Sequence, residues 1–318
     1  SSSAFAIAAK KAGYDAIAVV GAAEQPTCLI IDNKTVRYES AADVWGMSSE
    51  AASRALAAQF GKSYRCAAIG PAGENLVRYA TISHDGRHAG RGGSGAVMGS
   101  KNIKAIAVRG TKRCRWADPA GLAEYARRLS EKSFGPATAK YRELGTASNL
   151  LLFNRLNVLP TRNFQQGSFD GAAEIPPERV SEARRRAGAS CAACTIGCEH
   201  LYALGDKSQG NVRLEYENLF ALGSLCGVSD SDAMLAASKR CDLLGLDTIS
   251  AGGTIAFAME CVERGLLDAP WLRFGDGAAV LRALEEIADR RGVGQQLALG
   301  SRGMAEQIGG DAPDFAPQ

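Results

Sequence analysis

Three cysteines lie within eight residues, in the segment CAACTIGC at residues 191–198. Three thiolates at this spacing can bind one metal centre, because a tight loop directs the sulfur atoms inward and the small residues between them leave room for a cluster. A four-iron cluster normally takes its fourth cysteine from elsewhere, whereas a zinc ion could complete its ligands with His200. The spacing alone leaves three interpretations for Cys191, Cys194 and Cys198: an iron–sulfur cluster, a zinc site, or core cysteines without a ligand.

The other six cysteines stand singly in apolar or helical surroundings, where free cysteine usually serves as a small buried hydrophobic residue. Nine cysteines in 318 residues, an odd and uneven set, argue against a disulfide-stapled secreted scaffold. The first short apolar run has no basic flank before it, so a secretory signal is not expected. We therefore expect a reducing, cytoplasmic location. The six single cysteines are Cys28, Cys66, Cys114, Cys226, Cys241 and Cys261.

Glycines and basic side chains are concentrated between residues 84 and 104. Glycine lets a backbone approach another group closely, and the neighbouring arginines and lysines add positive charge, so the segment predicts a site for an anionic ligand. Neither the dinucleotide spacing nor the P-loop spacing is present. The alternative is a glycine-rich turn with a solvated basic face. The residues concerned are Gly86, Gly90, Gly92, Gly93, Gly95 and Gly99 with Arg87, Arg91, Lys101 and Lys104.

Two aspartates flank a glycine in the segment DLLGLD at residues 242–247. The apolar spacing predicts a helix that ends at Gly245 and a second helix that starts after Asp247. The two carboxylates could then flank one pocket edge and accept hydrogen bonds from a guanidine-like ring edge. Asp247 could instead simply cap the second helix, but Asp242 lies at the unfavourable end of the first helix dipole, which calls for another role.

Glu217 stands 19 residues beyond the last clustered cysteine, next to an apolar helix. A carboxylate near a redox centre is a candidate for proton transfer. Taken by itself, a glutamate at this place would be an ordinary surface residue.

The elements that must position these residues fall into two regions. Strand-like runs on either side of Asp32-Asn33-Lys34 predict a hairpin, and residues 48–60 predict a helix that stops at Gly61. Strands are expected at residues 64–69 and 103–108, and the glycines of residues 70–73 should break the chain between them.

After residue 117 the apolar periods are almost all helical. We therefore expect an α+β fold, in which a partial mixed β domain spans residues 1–115 and a mostly α-helical domain spans residues 116–318.

Charge and hydropathy exclude some classes of protein. Thirty-seven basic residues against 34 acidic ones leave a net charge of +3, which is too balanced for a surface devoted to nucleic acid or to anionic membrane. No apolar run approaches the ~20 residues of a membrane-spanning helix. We expect neither nucleic acid nor membrane as a partner.

Together these residues resemble the aldehyde:ferredoxin oxidoreductase family of tungsten or molybdenum bis-pterin enzymes. The segments that carry the resemblance follow one another in the family's order, and the likeness extends along nearly the whole chain. They are GPAGENLVRY at residues 70–79, AGRGGSGAVMGSKN at residues 89–102, the cysteine cluster and DLLGLD at residues 242–247.

The resemblance implies a role for each group of residues. Pterin phosphate would be bound by Arg91, Gly92, Gly93 and Ser94, with Mg²⁺ bridging the phosphates. A pterin ring would be bound by Asp242, Gly245, Leu246 and Asp247. A [4Fe–4S] cluster would be bound by Cys191, Cys194 and Cys198, and Glu217 would be the acid near the tungsten. Family members begin before Ser1 and continue beyond Gln318 with a last helical domain, which carries the fourth cluster cysteine, so we expect an internal fragment.

The implied reaction is oxidation of an aldehyde to a carboxylic acid, with electrons passed through the cluster to ferredoxin or an electron-transfer subunit, in a homo- or hetero-oligomer. Within the same family, a benzoyl-CoA reductase type of catalytic subunit is the alternative. An interpretation from another class is a zinc-stabilised nucleic-acid module, in which His200 completes the zinc site and residues 87–115 bind phosphates.

Overall fold

The computed structural model describes residues 3–175, 185–204 and 210–317, and its contacts divide the chain into two units. The first unit comprises Ser1–Glu131 and a short later segment, Asp242–Leu246. The second comprises Lys132–Cys241 and Asp247–Gln318. The chain thus leaves the first unit, returns to it for five residues, and leaves it again.

The first unit is built on a six-stranded mixed sheet. Its strands are β1 (Thr27–Asp32), β2 (Thr35–Ser40), β3 (Arg65–Ile69), β4 (Ile82–His84), β5 (Arg87–Ala89) and β6 (Ile103–Arg109). Their order in the sheet is β2-β1-β6-β3-β4-β5, in which the β1–β6 pair is parallel and the other pairs are antiparallel. The predicted hairpin is confirmed, since Asp32 pairs with Thr35 across the turn.

Helices cover both faces of this sheet because its strands alternate buried side chains. Cys28 and Ile30 of β1 face helix α2 (Ser49–Phe60), whereas Leu29 and Ile31 face helix α1 (Ala4–Ala12). Helix α2 begins where the Ser48 hydroxyl accepts a hydrogen bond from the amide of Ala51 (3.2 Å) and ends at Gly61, as predicted.

Two short helices complete the first unit. Residues 71–74, where we expected a chain break, form helix α3 (Pro71–Glu74), with proline in its first turn. Helix α4 (Ser94–Gly99) follows the glycine-rich hairpin. Helix α5 (Pro119–Ser133) leads out of this unit.

The second unit is mainly helical around α10 (Thr248–Glu263), whose residues 251–261 are all buried. Gly252 lets this helix approach α8 (Tyr216–Leu222), since a Cβ at Gly252 would lie 2.2 Å from the carbonyl oxygen of Ala221. The helices are α6 (Pro136–Leu144), α7 (Leu150–Arg155), α8 (Tyr216–Leu222), α9 (Ser231–Leu244), α10 (Thr248–Glu263), α11 (Gly277–Asp289), α12 (Gly294–Leu297), α13 (Gly300–Ile308) and α14 (Ala312–Phe315).

The expectation of almost purely helical structure after residue 117 is wrong in one place. Three strands, β7 (Arg185–Ala189), β8 (Glu199–Ala203) and β9 (Asn211–Leu214), form an antiparallel sheet around the cysteine segment. The sequence of strand β8, EHLYA, does not alternate polar and apolar residues, so it carries no strand pattern. Four of its five residues are nevertheless buried. The α+β class itself is confirmed.

Within the described ranges, no single helix is both long and apolar enough to cross a membrane. One sharply bent pair, Tyr216–Cys226 with Ser231–Leu244, meets the length and composition requirement only when its two parts are taken together.

Candidate cofactor sites

The glycine-rich segment begins with a tight hairpin between β4 and β5. Asp85 and Gly86 both have positive φ, 50° and 69°, as a two-residue turn of this hand requires, and Asp-Gly is a favoured pair there. The turn places Ser83 directly opposite His88 on the neighbouring strand. The hairpin could have been predicted from Asp-Gly, but the sequence analysis did not identify it.

Most of the tight glycines after the hairpin approach the protein's own backbone. A Cβ would lie 2.2 Å from the Arg78 carbonyl oxygen at Gly93, 2.4 Å from that of Thr81 at Gly95, and 1.9 Å from that of Gly73 at Gly99. These three glycines therefore let α4 pack on residues 73–81. Gly92 differs, because its φ is +91° and nothing lies within 4 Å of its Cβ position.

Arg91 and Ser94 lie on either side of Gly92 and Gly93. Arg91 and Gly92 are exposed. The Ser94 hydroxyl donates a hydrogen bond to the Ala89 carbonyl oxygen (3.2 Å), which ties the start of α4 to the end of the hairpin.

The basic residues farther along have structural roles that the sequence analysis did not separate from ligand binding. Lys104 is fully buried, donates to the Met47 carbonyl oxygen (2.7 Å) and pairs with buried Glu74. Burial lowers the pKa of Lys104. Glu74 also accepts from the Gly46 amide (2.9 Å), and Lys101 donates to the Gly21 carbonyl oxygen (2.9 Å).

The DLLGL segment, residues 242–246, packs on the rest of the first unit through its backbone. The Thr81 amide donates to the Gly245 carbonyl oxygen (2.8 Å), and a Cβ at Gly70 would lie 2.3 Å from the Leu244 carbonyl oxygen. The Ser49 hydroxyl donates to the carbonyl oxygen of Asp242 (3.1 Å). Gly245, at φ +76°, reverses the chain at the end of α9, as predicted.

The side chain of Asp242 contacts the glycine-rich hairpin. His88 Nε2 lies 3.0 Å from Asp242 Oδ1, and His88 Nδ1 lies 2.9 Å from Ser83 Oγ. The imidazole therefore compensates the unfavourable position of this carboxylate at a helix C-terminus. Two of the predicted groups, the glycine segment and Asp242, are thus brought together by a histidine that the sequence analysis did not single out.

Asp247 and Leu246 have local roles. Asp247 caps α10, because its Oδ2 accepts from the Ser250 amide (3.2 Å) and from the Ser250 hydroxyl. Leu246 forms an isolated bridge with Ala80. The buried Thr81 hydroxyl beside this turn has no hydrogen-bond partner in the described part of the chain.

The cysteine segment forms a turn between β7 and β8. The Cys194 amide donates to the Cys191 carbonyl oxygen (3.0 Å), and Ala193 and Gly197 have left-handed φ values of 60° and 64°. All three clustered cysteines are free and partly buried. The pKa of the Cys198 thiol is raised, chiefly by burial and then by the charges of Glu215 and the other two cysteines.

The geometry of this turn bears on which metal it could hold. Among the residues described, no three histidine, cysteine or acidic side chains converge on a point where one ion could bind. A four-iron cluster does not need such a point, because it spreads its thiolates over separate irons. His200 Nε2 donates to the Arg142 carbonyl oxygen (2.9 Å) from within β8, so a zinc ion would have to be bound through Nδ1 of this ring. Three thiols in one turn match the share of ligands that a four-iron cluster takes from a single segment.

Glu217 lies in the first turn of α8, where the helix dipole stabilises a carboxylate. Its neighbour Glu215 caps this helix, since its side chain accepts from the Asn218 amide while Asn218 Oδ1 accepts from the Glu215 amide. The charge of Glu215 contributes to the raised pKa of Cys198, and the sequence analysis did not single out this glutamate. Burial, with a smaller contribution from Glu217, raises the pKa of Tyr216 to about 12.

Two family models match this chain in consecutive blocks. The model of the aldehyde ferredoxin oxidoreductase N-terminal domain matches residues 1–110, and the model of domains 2 and 3 of the same family matches residues 122–318.

Individual relatives agree with the family models. A tungsten-containing aldehyde ferredoxin oxidoreductase of Pyrococcus furiosus is 40% identical over 94% of this chain and 51% of its own length. The WOR-like subunit of an aliphatic sulfonate oxidoreductase from the same organism is 30% identical over 94% of this chain and 51% of its own length. The chain therefore spans about half the length of these relatives.

A solved structure shows the same fold. The BamBC active-site complex of benzoyl coenzyme A reductase, bound to 1,5-dienoyl-CoA, superposes with a TM-score of 0.82 at 27% identity, over 98% of this chain and 50% of that one. With two family models covering most of its residues, this chain belongs to the aldehyde ferredoxin oxidoreductase family.

Proposed function

We propose that this chain is part of a tungsten-containing oxidoreductase that converts an aldehyde to a carboxylic acid and passes the electrons to ferredoxin through a [4Fe–4S] cluster. The observation that carries the proposal is the contact of the glycine-rich hairpin with Asp242, because it supports a site in which a segment that would bind an anion lies beside a carboxylate acceptor. The 40% identity to tungsten-containing aldehyde oxidoreductases supports the choice of metal and substrate class.

The first unit offers two kinds of contact to a pterin. Arg91, which is exposed, would bind pterin phosphate beside Gly92, where no described atom lies within 4 Å of the Cβ position. Mg²⁺, which the family resemblance implies, would neutralise part of the phosphate charge. The carboxylate of Asp242 would accept hydrogen bonds from the N–H groups of the pterin ring. Asp247 and Leu246 would support the same motif from the backbone turn that they help to form.

When bound, the tungsten bis-pterin group supplies the two-electron redox chemistry. Oxidation of the aldehyde, with one oxygen atom taken from water, yields the carboxylic acid, two electrons and two protons. Glu217, in the first turn of α8, would accept one of these protons at its carboxylate.

The cysteine turn would hold the cluster that accepts the electrons. Cys191, Cys194 and Cys198 would bind three irons of the cluster, and a further cysteine of the whole protein would complete the ligand set. Partly buried thiols on a fixed turn suit this role, because a cluster must be held firmly while remaining near the surface for a protein partner.

The test is an anaerobic assay of the whole protein purified from its native host. We expect aldehyde-dependent reduction of ferredoxin or of a viologen dye, together with tungsten or molybdenum, pterin, and roughly four iron atoms and four acid-labile sulfides per chain. Protein with one zinc, no sulfide and no pterin would overturn the proposal.

A benzoyl-CoA reductase type of activity is the second candidate, and the solved BamBC complex favours it. In that case the same metal centre would reduce an aromatic thioester instead of oxidising an aldehyde. Activity with an aryl-CoA and a low-potential donor, without activity on aldehydes, would select this candidate.

A nucleic-acid module receives less support from the structure. Lys104 is fully buried against Glu74, so it is not available to bind phosphates, and Lys101 already donates to a backbone carbonyl. Failure of the protein to retard DNA or RNA at low salt is the expected result.

A further inference from the structure

The geometry points to His88 as a positioning residue for Asp242, an inference that rests on the proposed function. Held in place by Ser83, the imidazole fixes one oxygen of the Asp242 carboxylate and leaves the other to accept hydrogen bonds from the N–H groups of a pterin ring.

The three side chains form a continuous hydrogen-bonded chain. A carboxylate oxygen can only accept, so His88 Nε2 donates to Asp242 Oδ1 across 3.0 Å. In the neutral imidazole Nδ1 must then be the acceptor, and the Ser83 hydroxyl donates to it across 2.9 Å. Asp242 therefore sets the tautomer, and the Ser83 hydroxyl, which can donate or accept, completes it by donating to Nδ1.

The fold holds this chain at both ends. Ser83 and His88 are directly paired across the β4–β5 hairpin, so the ring is anchored to two strands. Asp242 is held by its own backbone, whose carbonyl oxygen accepts from Ser49 Oγ. Because both ends are fixed, the carboxylate has little freedom to rotate away from the imidazole.

Asp242 is placed to bind a ligand as well as His88. Its side chain is 32% exposed, whereas that of His88 is 23% exposed. In the described part of the chain, Asp242 Oδ2 makes no hydrogen bond, so this oxygen keeps its capacity to accept. A carboxylate with one oxygen committed and the other open presents an acceptor of fixed direction.

The same three residue types occur in hydrolases, but this arrangement differs from a nucleophilic triad. Ser83 lies in a strand and is only 8% exposed, so its hydroxyl is not presented to a substrate. We therefore assign the serine to anchoring the ring.

The test compares variants of the whole protein, produced in the native host, by the pterin retained after prolonged dialysis. His88→Gln keeps an N–H donor near the position of Nε2, whereas His88→Asn keeps only a donor near Nδ1. We expect His88→Asn to lose pterin on the order of tenfold faster than wild type, as for loss of a charge-assisted hydrogen bond, and His88→Gln to lose it at nearly the wild-type rate. Ser83→Ala should fall between them.

A double variant distinguishes positioning from general structural damage. If His88 acts only through Asp242, adding His88→Asn to Asp242→Asn should cause no further loss of pterin, whereas an independent structural effect would add. If either His88→Asn or Asp242→Asn fails to fold, by circular dichroism, the comparison of Ser83→Ala with His88→Gln carries the test, and equal retention by these two variants would overturn the inference.

The failures of the two proposals are distinguishable. Wild-type protein without pterin would overturn the proposed function and this inference with it. Pterin in the wild type, lost from Asp242→Asn but fully retained by His88→Asn, would overturn the role of His88 alone. Pterin fully retained by Asp242→Asn would remove the ligand role of that carboxylate and therefore also the role of His88.

Discussion

The two candidate sites are held together in different ways. In the first unit, side-chain hydrogen bonds fix the ligand groups, since Ser83 orients His88 and His88 orients Asp242. In the second unit, the three clustered thiols are placed by a turn whose backbone takes left-handed conformations at Ala193 and Gly197.

The chemistry of the ligand groups explains this difference. Carboxylates and imidazoles make strong directional hydrogen bonds, so neighbouring residues can fix them. A thiol is a weak donor and a weak acceptor, so its position must come from the backbone and from the metal centre itself. Sites for organic cofactors can therefore be built in advance by the protein to a degree that thiolate sites cannot.

The stability of the first unit should depend most on its buried ion pair, Glu74 with Lys104. Glu74→Gln leaves Lys104 fully buried without its charged partner, and we expect a loss of about 3–5 kcal/mol in the free energy of unfolding. Glu39→Gln breaks the exposed pair with Arg37 and should cost about 0–1 kcal/mol. Urea denaturation measures both, and equal small losses would show that the buried pair does not support the site.

Close backbone packing should be the next most sensitive feature. Gly99→Ala places a Cβ 1.9 Å from a backbone oxygen that cannot move aside easily, so we expect a loss of about 3 kcal/mol or more. Gly265→Ala meets no atom within 4 Å and adds only the strain of its left-handed φ of +73°, about 1–2 kcal/mol. If thermal unfolding gave the two variants the same midpoint, the crowding argument would be wrong.

Arg91 should separate a ligand site from an ordinary basic surface. Arg91→Ala removes a charge-assisted bond to pterin phosphate, and we expect a loss of about 1.5–3 kcal/mol in pterin binding. Arg113 is exposed in the connector before α5, and Arg113→Ala should change binding by less than about 1 kcal/mol. The readout is the pterin content of the purified whole protein, measured as its oxidised fluorescent derivative. Equal retention by both variants would remove Arg91 from the site.

The smallest expected effect concerns His84, beside the hairpin turn. Burial lowers the pKa of His84 below its ordinary value of 6.5. As pH falls below about 6.5, the unfolded chain binds a proton that the folded chain does not, so stability falls with acidification by at most ~1.4 kcal/mol per pH unit. His84→Gln should flatten the urea midpoint between pH 7 and pH 5.5, and an unchanged slope would contradict the assignment.

Local signals explain what could be predicted from the sequence. Helix α2 has a capping serine and a terminal glycine, and the β1–β2 hairpin has a turn sequence between two strand-like runs, so both were predicted. Helix α10 was likewise marked by Asp247 at its start. Such signals depend only on neighbouring residues.

The remaining features depend on contacts between distant segments. The ion pair of Glu74 with Lys104 spans 30 residues, and the hydrogen bond of His88 with Asp242 spans more than 150, so no local sequence pattern reveals either contact. The glycines of residues 92–99 were predicted to bring backbone close to a partner, but sequence could not show that for Gly93, Gly95 and Gly99 the partner is the protein itself.

The central claim is that the two regions are separate cofactor sites, and Cys194→Ser tests it most directly. Iron, acid-labile sulfide and pterin are measured on the same anaerobic preparation of the whole protein, with Cys226→Ala as the control because Cys226 is a buried core cysteine. We expect Cys194→Ser to lose iron and sulfide from about four of each per chain while keeping its pterin, and Cys226→Ala to keep all three. Full retention of iron and sulfide by Cys194→Ser would contradict the account.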